Sequence, residues 1–367
     1  MKITINRKSI LDALSVGGAL AGKAKSIPIL EQVLIRVADN TLTVVSSNSE
    51  SQVLKRISIV ESEGNISFCA NPNDLSKALK SLNTENITLD ASTELVKVVH
   101  SKGCIEFPAS SPVAFPIMPK SEDAKVVTLP SALLKDWINI GRNFVSNDNF
   151  KPAMNGMFIS IEGNTITCCA TDAHKLFSDS ANFENAENVA FNVIVSSQIF
   201  PMILNILNDD ESVDMLVDSK NLSFKSGSSK VTTRKIEDAY PNFKAVIPTN
   251  NQIKIGVNRD EFKQAILRTS LFTNAGTSLA KLEIKGNVMS IIGQDINFGK
   301  GSYEEINIEN SNSELTIGVK ADYTQILLSA ISTENLTIEL SSPDRPLIFK
   351  DSNYPNMCLL LMPMKLN

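Results

Sequence analysis

Histidine is nearly missing from this 367-residue chain, which has only His100 and His174. That count argues against an imidazole metal cluster or a histidine-rich acid/base site. Cysteine is sparse and odd in number (Cys69, Cys104, Cys168, Cys169 and Cys358), with no pair in a CxxC spacing. A disulfide framework or zinc site is therefore not expected, and a reducing, cytoplasmic location is. Long apolar runs are absent too: none approaches the ~20 residues of a membrane helix. The opening MKITINRKSI alternates polar and apolar residues and lacks the continuous apolar centre of a signal peptide. Aromatics reach only 6%, and no stacked-aromatic RNA motif is present. What remains is a globular composition, 43% hydrophobic and 20% charged, with ample material for buried cores. At about 100–200 residues per domain the length suggests two to four domains.

The chain repeats itself three times. Ile3-Thr4-Ile5-Asn6-Arg7 leads into the helical pattern Ile10, Leu11, Leu14. Val126-Val127-Thr128-Leu129-Pro130 leads into Leu133, Leu134, Trp137, Ile138, and Ile253 to Asn258 leads into Phe262, Ala265, Ile266. Each reads as a short period-2 strand followed by an amphipathic helix. A second strand–helix module recurs at Ile66–Ala70, Phe191–Val195 and Leu315–Val319, with Ala70, Ile194 and Gly318 spaced 124 residues apart each time. Hairpin turns recur at Asp39-Asn40, Gly163-Asn164 and Gly286-Asn287, built from residues that tolerate positive φ. The pattern predicts an α+β chain of three similar domains, 1–122, 123–248 and 249–367, each with two helices on antiparallel sheets.

The net charge of −5 argues against general nucleic-acid binding only if charge is spread evenly. It is not. Segment 6–25 carries Arg7, Lys8, Lys23 and Lys25 against Asp12, and segment 72–83 carries Lys77 and Lys80 against Asp74. Segment 131–144 holds Lys135 and Arg142 against Asp136; segment 258–270 holds Arg259, Lys263 and Arg268 against Asp260 and Glu261. Segments 196–208 and 319–331 are neutral, so the six helical segments sum to +6 and the rest of the chain to −11. Lys135, Asn139 and Arg142 fall on a polar face opposite Leu133, Trp137 and Ile138, and Lys77 and Lys80 face away from Leu75, Leu79 and Leu82. A cationic helix face on an acidic protein suits non-specific phosphate contact.

No catalytic constellation emerges. Gly17 to Ala24 fits GxxxxGK, but Ala24 stands where a phosphate loop ligates Mg²⁺, and the segment follows a helix instead of joining a strand to one. Gly227-Ser228-Ser229 reads as a polar turn.

Three further segments stand apart: Thr171-Asp172-Ala173-His174-Lys175-Leu176 after the second hairpin, Tyr240-Pro241-Asn242-Phe243-Lys244-Ala245-Val246-Ile247-Pro248 before the third domain, and the terminal Leu359 to Asn367 with Met362-Pro363-Met364. Together, in this order, they resemble the bacterial DNA sliding clamp family, the β subunit of DNA polymerase III, whose motifs are TDGHRL, YP(D/N)-x-x-x-(V/L)-(I/L)P and a terminal MPMR(L). The resemblance spans the whole chain. It implies a processivity factor without chemistry or cofactor of its own: a head-to-tail homodimeric ring, twelve helices lining a hole for duplex DNA.

By the same resemblance, a groove for short linear peptides of the replicative polymerase, the clamp loader and repair proteins would be lined by Met154, Thr171, Ala173, His174, Lys175, Leu176, Pro241, Val246, Pro346, Leu360, Leu361, Met362, Pro363 and Met364. Ile105 and Phe107 would meet Leu271 and Phe272 of the second copy. The helix cations Arg7, Lys25, Lys77, Lys80, Lys135, Arg142, Arg259 and Lys263 become candidates to face DNA, and the resemblance adds Lys23 and Lys151. Ala173, Lys175 and Ala245 depart from the family's usual Gly, Arg and Arg, which bears on peptide preference. From the residues alone, two other classes stay open: a hydrolase or nucleotidyltransferase with an unrecognised site, and a monomeric peptide-binding adaptor.

Overall fold

The computed structural model describes residues 1–23, 27–100, 102–118, 123–183, 189–310 and 314–366. Six α-helices appear among them: α1 (Arg7–Gly17), α2 (Pro72–Lys80), α3 (Ser131–Gly141), α4 (Phe200–Ile206), α5 (Arg259–Ser270) and α6 (Ala321–Ala330). Two fall in each repeat, as the spacing predicts. The first helix of the outer repeats opens on the same device: Asn6 accepts hydrogen bonds from the Lys8 and Ser9 N–H groups, and Asn258 from that of Glu261. Asn71 caps α2 in the same way ahead of Pro72, whose missing N–H costs nothing at a first helical position.

The three hairpin turns sit where the sequence places them. Asp39 and Asn40 (φ 51° and 55°), Gly163 (57°) and Gly286 (55°) all adopt the left-handed conformation of tight turns. The glycine-lysine segment is a helix end and not a phosphate loop. At Gly17 α1 approaches the strand Thr41–Ser47 so closely that a Cβ would lie 2.7 Å from the Val44 carbonyl oxygen. Ala24 lies outside the described residues. On α3 it is Leu134, with Trp137 and Ile138, that is buried; Leu133 is only half-buried.

The chain folds into two compact units, Met1–Asp136 with Gln198–Lys235 and Trp137–Ser197 with Ile236–Asn367. A 13-stranded antiparallel sheet runs through the first and a 12-stranded one through the second. Each sheet is continuous across a repeat boundary. In the first unit the strand Ser229–Arg234 of the central repeat pairs with Ser51–Ser58 of the first. In the second, Cys358–Leu361 of the last repeat pairs with Lys175–Asn182 of the central one. Helices cover one face: α1 packs on Thr41–Ser47 and beside α2 and α4, and α5 packs beside α6. The core of the first repeat gathers Ile3, Ile5, Ile10, Leu14, Phe68, Leu75 and Leu89 between helices and strands.

Candidate functional site

In the second unit, the corner joining Thr165–Thr171 to Lys175–Asn182 is closed by its own side chains. Asp172 Oδ1 accepts from the His174 and Lys175 N–H groups, both at 2.9 Å. Thr171 Oγ1 donates to the Lys175 carbonyl at 2.8 Å and accepts from the Ala173 N–H. Ala173 is held at φ 76°, where only glycine is at ease. The Lys175 ammonium turns inward: it lies 2.5 Å from Asp172 Oδ2 and 4.9 Å from the centre of the Tyr323 ring, with its side chain 5% exposed. The Phe144 ring centre lies 5.7 Å from the same ammonium.

Beside this corner, Tyr240 stacks on Phe158 at 4.9 Å and meets Phe243 edge-on, while its hydroxyl donates to the Cys169 carbonyl. Burial, and then the neighbouring Cys169, pushes the Tyr240 phenol far above its usual range, so it remains a hydrogen-bond donor. Anchored this way, Tyr240 presents Pro241 and Phe243 to a cleft of about 190 Å³. Met154, Thr171, Ala173, His174, Lys175, Leu176, Pro241, Val246, Leu360 and Met362, ten of the residues that the resemblance places in a groove, line it. Val246 and Met362 expose 49% and 36% of their surface there, an apolar rim on a mostly apolar floor. The tail is fixed to the corner by the Met362 N–H, which donates to the His174 carbonyl at 2.9 Å.

Four residues expected in this lining do not line it. Leu361 alternates with Leu360 along one strand and is fully buried on the opposite face. Met364 turns away to bridge Gly318, carrying Pro363 off the cleft, and Pro346 is buried ahead of the strand Leu347–Lys350. Sequence reasoning missed Asn242 and Phe243, which line the cleft from inside the quoted motif, and Tyr323 and Phe144, which cover Lys175. The first pair carried a signal, an aromatic in register with Tyr240. Of the second pair, Tyr323 sits on α6 and Phe144 in the turn after α3, and no local pattern points to either.

The helix cations divide into two groups. Arg7 and Arg259 are occupied within their own repeats: Arg7 Nε donates to the Thr84 carbonyl at 2.9 Å, and Arg259 Nη1 to those of Ser332 and Ile331 at 3.0 and 3.2 Å. Lys135 pairs with Asp209 at 2.7 Å, and Lys151 lies 4.0 Å from Asp148. Lys23, Lys77, Lys80, Arg142 and Lys263 enter no ion pair among the described residues; Lys77, Lys80 and Arg142 are exposed, and Lys23 stands beside α4. Lys25 lies outside the described residues.

Among the described residues, the strands at the two ends of the repeat series each keep an open edge. The strands Ser51–Ser58 and Lys175–Asn182 each accept the last strand of the following repeat. The corresponding strand of the third repeat, Lys300–Asn310, is paired on that side only at Ile308, Glu309 and Asn310. The corresponding last strand of the first repeat, Gly103–Ser110, is paired on its outer side only at Ala109 and Ser110. Among the described residues, Gly103–Pro108 and Lys300–Asn307 therefore have one unpaired edge each. Ile105 and Phe107 lie on the first of these, half-buried and 8% exposed, with Phe107 in the core. Leu271 and Phe272, just past α5, expose 71% and 41%.

Family models for the N-terminal, central and C-terminal domains of the DNA polymerase III beta subunit match residues 1–119, 128–242 and 244–365. The beta sliding clamp of Bacillus subtilis is 23% identical over 377 residues, and that of Escherichia coli K12 24% identical over 372, both matches covering 100% of each chain. Among solved structures, the DNA polymerase III subunit beta of Pseudomonas aeruginosa superposes with a TM-score of 0.95 at 19% identity over 100% of both chains. A P. aeruginosa sliding clamp bound to griselimycin matches at 0.94 and 19%, again over both full chains. Three tandem matches spanning the chain, on a threefold α+β repeat, show that it belongs to the DNA polymerase III beta subunit family, the bacterial sliding clamps.

Proposed function

We propose that two copies of this chain close head to tail into a ring around duplex DNA and tether the cytoplasmic replicative polymerase to its template. The observation that carries this reading is the pair of open edges. Twice within the chain, the strand after the hairpin of one repeat accepts the last strand of the next. Among the described residues, the third such strand and the one last strand left over keep most of that edge unpaired, so each copy has one edge of either kind to offer a second copy. A heterologous contact that closes generates a ring. Exposed Leu271 and Phe272 next to one edge supply apolar area for the seam.

In this reading the domains are 1–122, 123–248 and 249–367, the unpaired helix cations face DNA without reading its sequence, and the chain performs no catalysis. Enclosure makes tight phosphate contact unnecessary, and sliding requires that it be weak. The cleft between Thr171, Pro241 and Met362 receives short apolar peptides of the polymerase, the clamp loader and repair proteins, its methionines repacking around different sequences. The griselimycin-bound relative supports a ligand-competent surface in this family.

The test is retention on DNA. After loading, a ring of about 80 kDa, twice the 40.0 kDa chain, should stay on a nicked circle and leave once the circle is cut. A protein held by contacts alone would be indifferent to the ends, and a 40.0 kDa species in sedimentation would end the proposal.

A further inference from the structure

At the first repeat junction, one face of the sheet presents a second cleft, of about 480 Å³, distinct from the apolar one. Cross-strand register assembles it in rows. Leu34, Val45 and Leu54 lie side by side as an apolar floor, and the row continues into Lys230 and Lys225. The next row holds Arg36, Thr43 and Arg56. Lys225 and Lys230 are directly opposite each other, an arrangement that like charges disfavour. Lys225 lies 3.9 Å from Asp214, and Asp218 offsets part of the charge around Lys230; Arg36, Arg56 and Lys230 enter no ion pair among the described residues. Burial, and then the nearby Arg56, hold the Lys230 ammonium below the ordinary lysine range.

A second, independent feature points to a ligand. Gln52 is 9% exposed, lines the same cleft, and its amide Nε2 has no hydrogen-bond partner among the described residues. A buried donor left unmatched is a cost that native structures seldom carry without a use. Leu34, Val45 and Gln52 lie 124 residues before Phe158, Cys169 and Leu176, the residues that floor the apolar cleft's side of the second junction. Duplication has thus placed the same sheet face at both junctions, with charge and an amide where the second has hydrocarbon.

We propose that this face is a second docking site, for an acidic linear peptide that alternates carboxylates with apolar side chains. Arg36 and Arg56 offer forked donors that match carboxylates. Leu34, Val45 and Leu54, with Ile117 and Met118 at the margin, take the apolar side chain, and the Gln52 amide donates to a peptide oxygen. A nucleic acid would use the cations but has no need of the aliphatic floor, so the peptide is favoured.

The probe is a fluorescein-labelled peptide of alternating Glu and Leu, titrated against the full-length protein by anisotropy. Saturable binding is expected, weakened about tenfold or more by Arg36→Glu with Arg56→Glu, whose exposed positions leave the core intact. The paired Arg→Lys variant should fall between, keeping charge and losing the fork. Met362→Asp, in the other cleft, should leave binding unchanged. The proposal fails if the Glu variant binds as the parent does, or if a peptide of alternating Lys and Leu binds equally. It fails too if a short oligodeoxythymidine competes as well as unlabelled peptide, or if binding does not saturate below about 1 mM.

Discussion

Asp351 is a carboxylate whose charge the fold engages through two backbone donors. It is 2% exposed, and its carboxylate accepts the Ser332 N–H at 2.5 Å and the Asn353 N–H at 2.9 Å. Burial pushes its pKa up, but these donors outweigh burial and hold it below the ordinary aspartate value of 3.8. Because the folded pKa is the lower one, the stabilisation is complete above about 3.8 and is lost as pH falls through the folded value. Asp351→Ala is expected to cost about 1.5–3 kcal/mol at neutral pH. Urea melts at pH 7 and at acid pH should show the gap between parent and variant narrowing on acidification; a constant gap would mean that the ionised carboxylate contributes nothing. Ala173 offers the opposite case. Its left-handed φ costs about 1–2 kcal/mol, and glycine would return part of that to unfolded-chain entropy. Ala173→Gly should raise the urea midpoint, a net gain of about 0.5–1 kcal/mol. Ser49, 124 residues earlier, sits at the same corner with φ 78°. At this scale the cleft was half legible: motif residues named it, but the alternation that turns Leu361 away from Leu360 needs a strand register that the terminal motif does not reveal.

Among the elements, the two helices that begin with arginine show a charge that also has a task inside the fold. Arg7 and Arg259 count toward a cationic face, yet both reach back to carbonyls that follow the second helix of their repeat. Arg259→Lys should therefore lower stability by about 1 kcal/mol, since one ammonium cannot hold the two carbonyls that Nη1 holds and also the Asp260 carboxylate that Nε and Nη2 clasp. Replacing exposed Lys77 and Lys80 with Gln should leave the melt unchanged and flatten the salt dependence of DNA retention. Equal effects of the two changes on DNA retention would dissolve the division between tying and steering cations. Caps and turns were legible because Asn6, Asn71, Asp39 and Gly163 act on neighbours a few residues away. Strand partners such as Ser229–Arg234 and Ser51–Ser58 were not, because no local pattern records a pairing across some 180 residues.

For the whole molecule, the apolar residues beside an open edge set the oligomeric expectation. Leu271→Asp with Phe272→Asp should yield a soluble 40.0 kDa species in sedimentation, because unpaired charge is penalised at an apolar seam. A persisting dimer would move the seam elsewhere. Met362→Asp, on the cleft rim, should reduce polymerase stimulation severely while leaving sedimentation as in the parent. The threefold duplication was readable from spacing alone. The way the sheets tie half of the central repeat to each neighbour was not.

The unpaired stretches of Gly103–Ser110 and Lys300–Asn310 also constrain how such a protein can be cut or lengthened. A fragment of any number of repeats would carry the same two raw borders, one at either end, and could satisfy them only by joining more of itself. Unless the bend per repeat let the series meet its own beginning, such a series would add copies without closing.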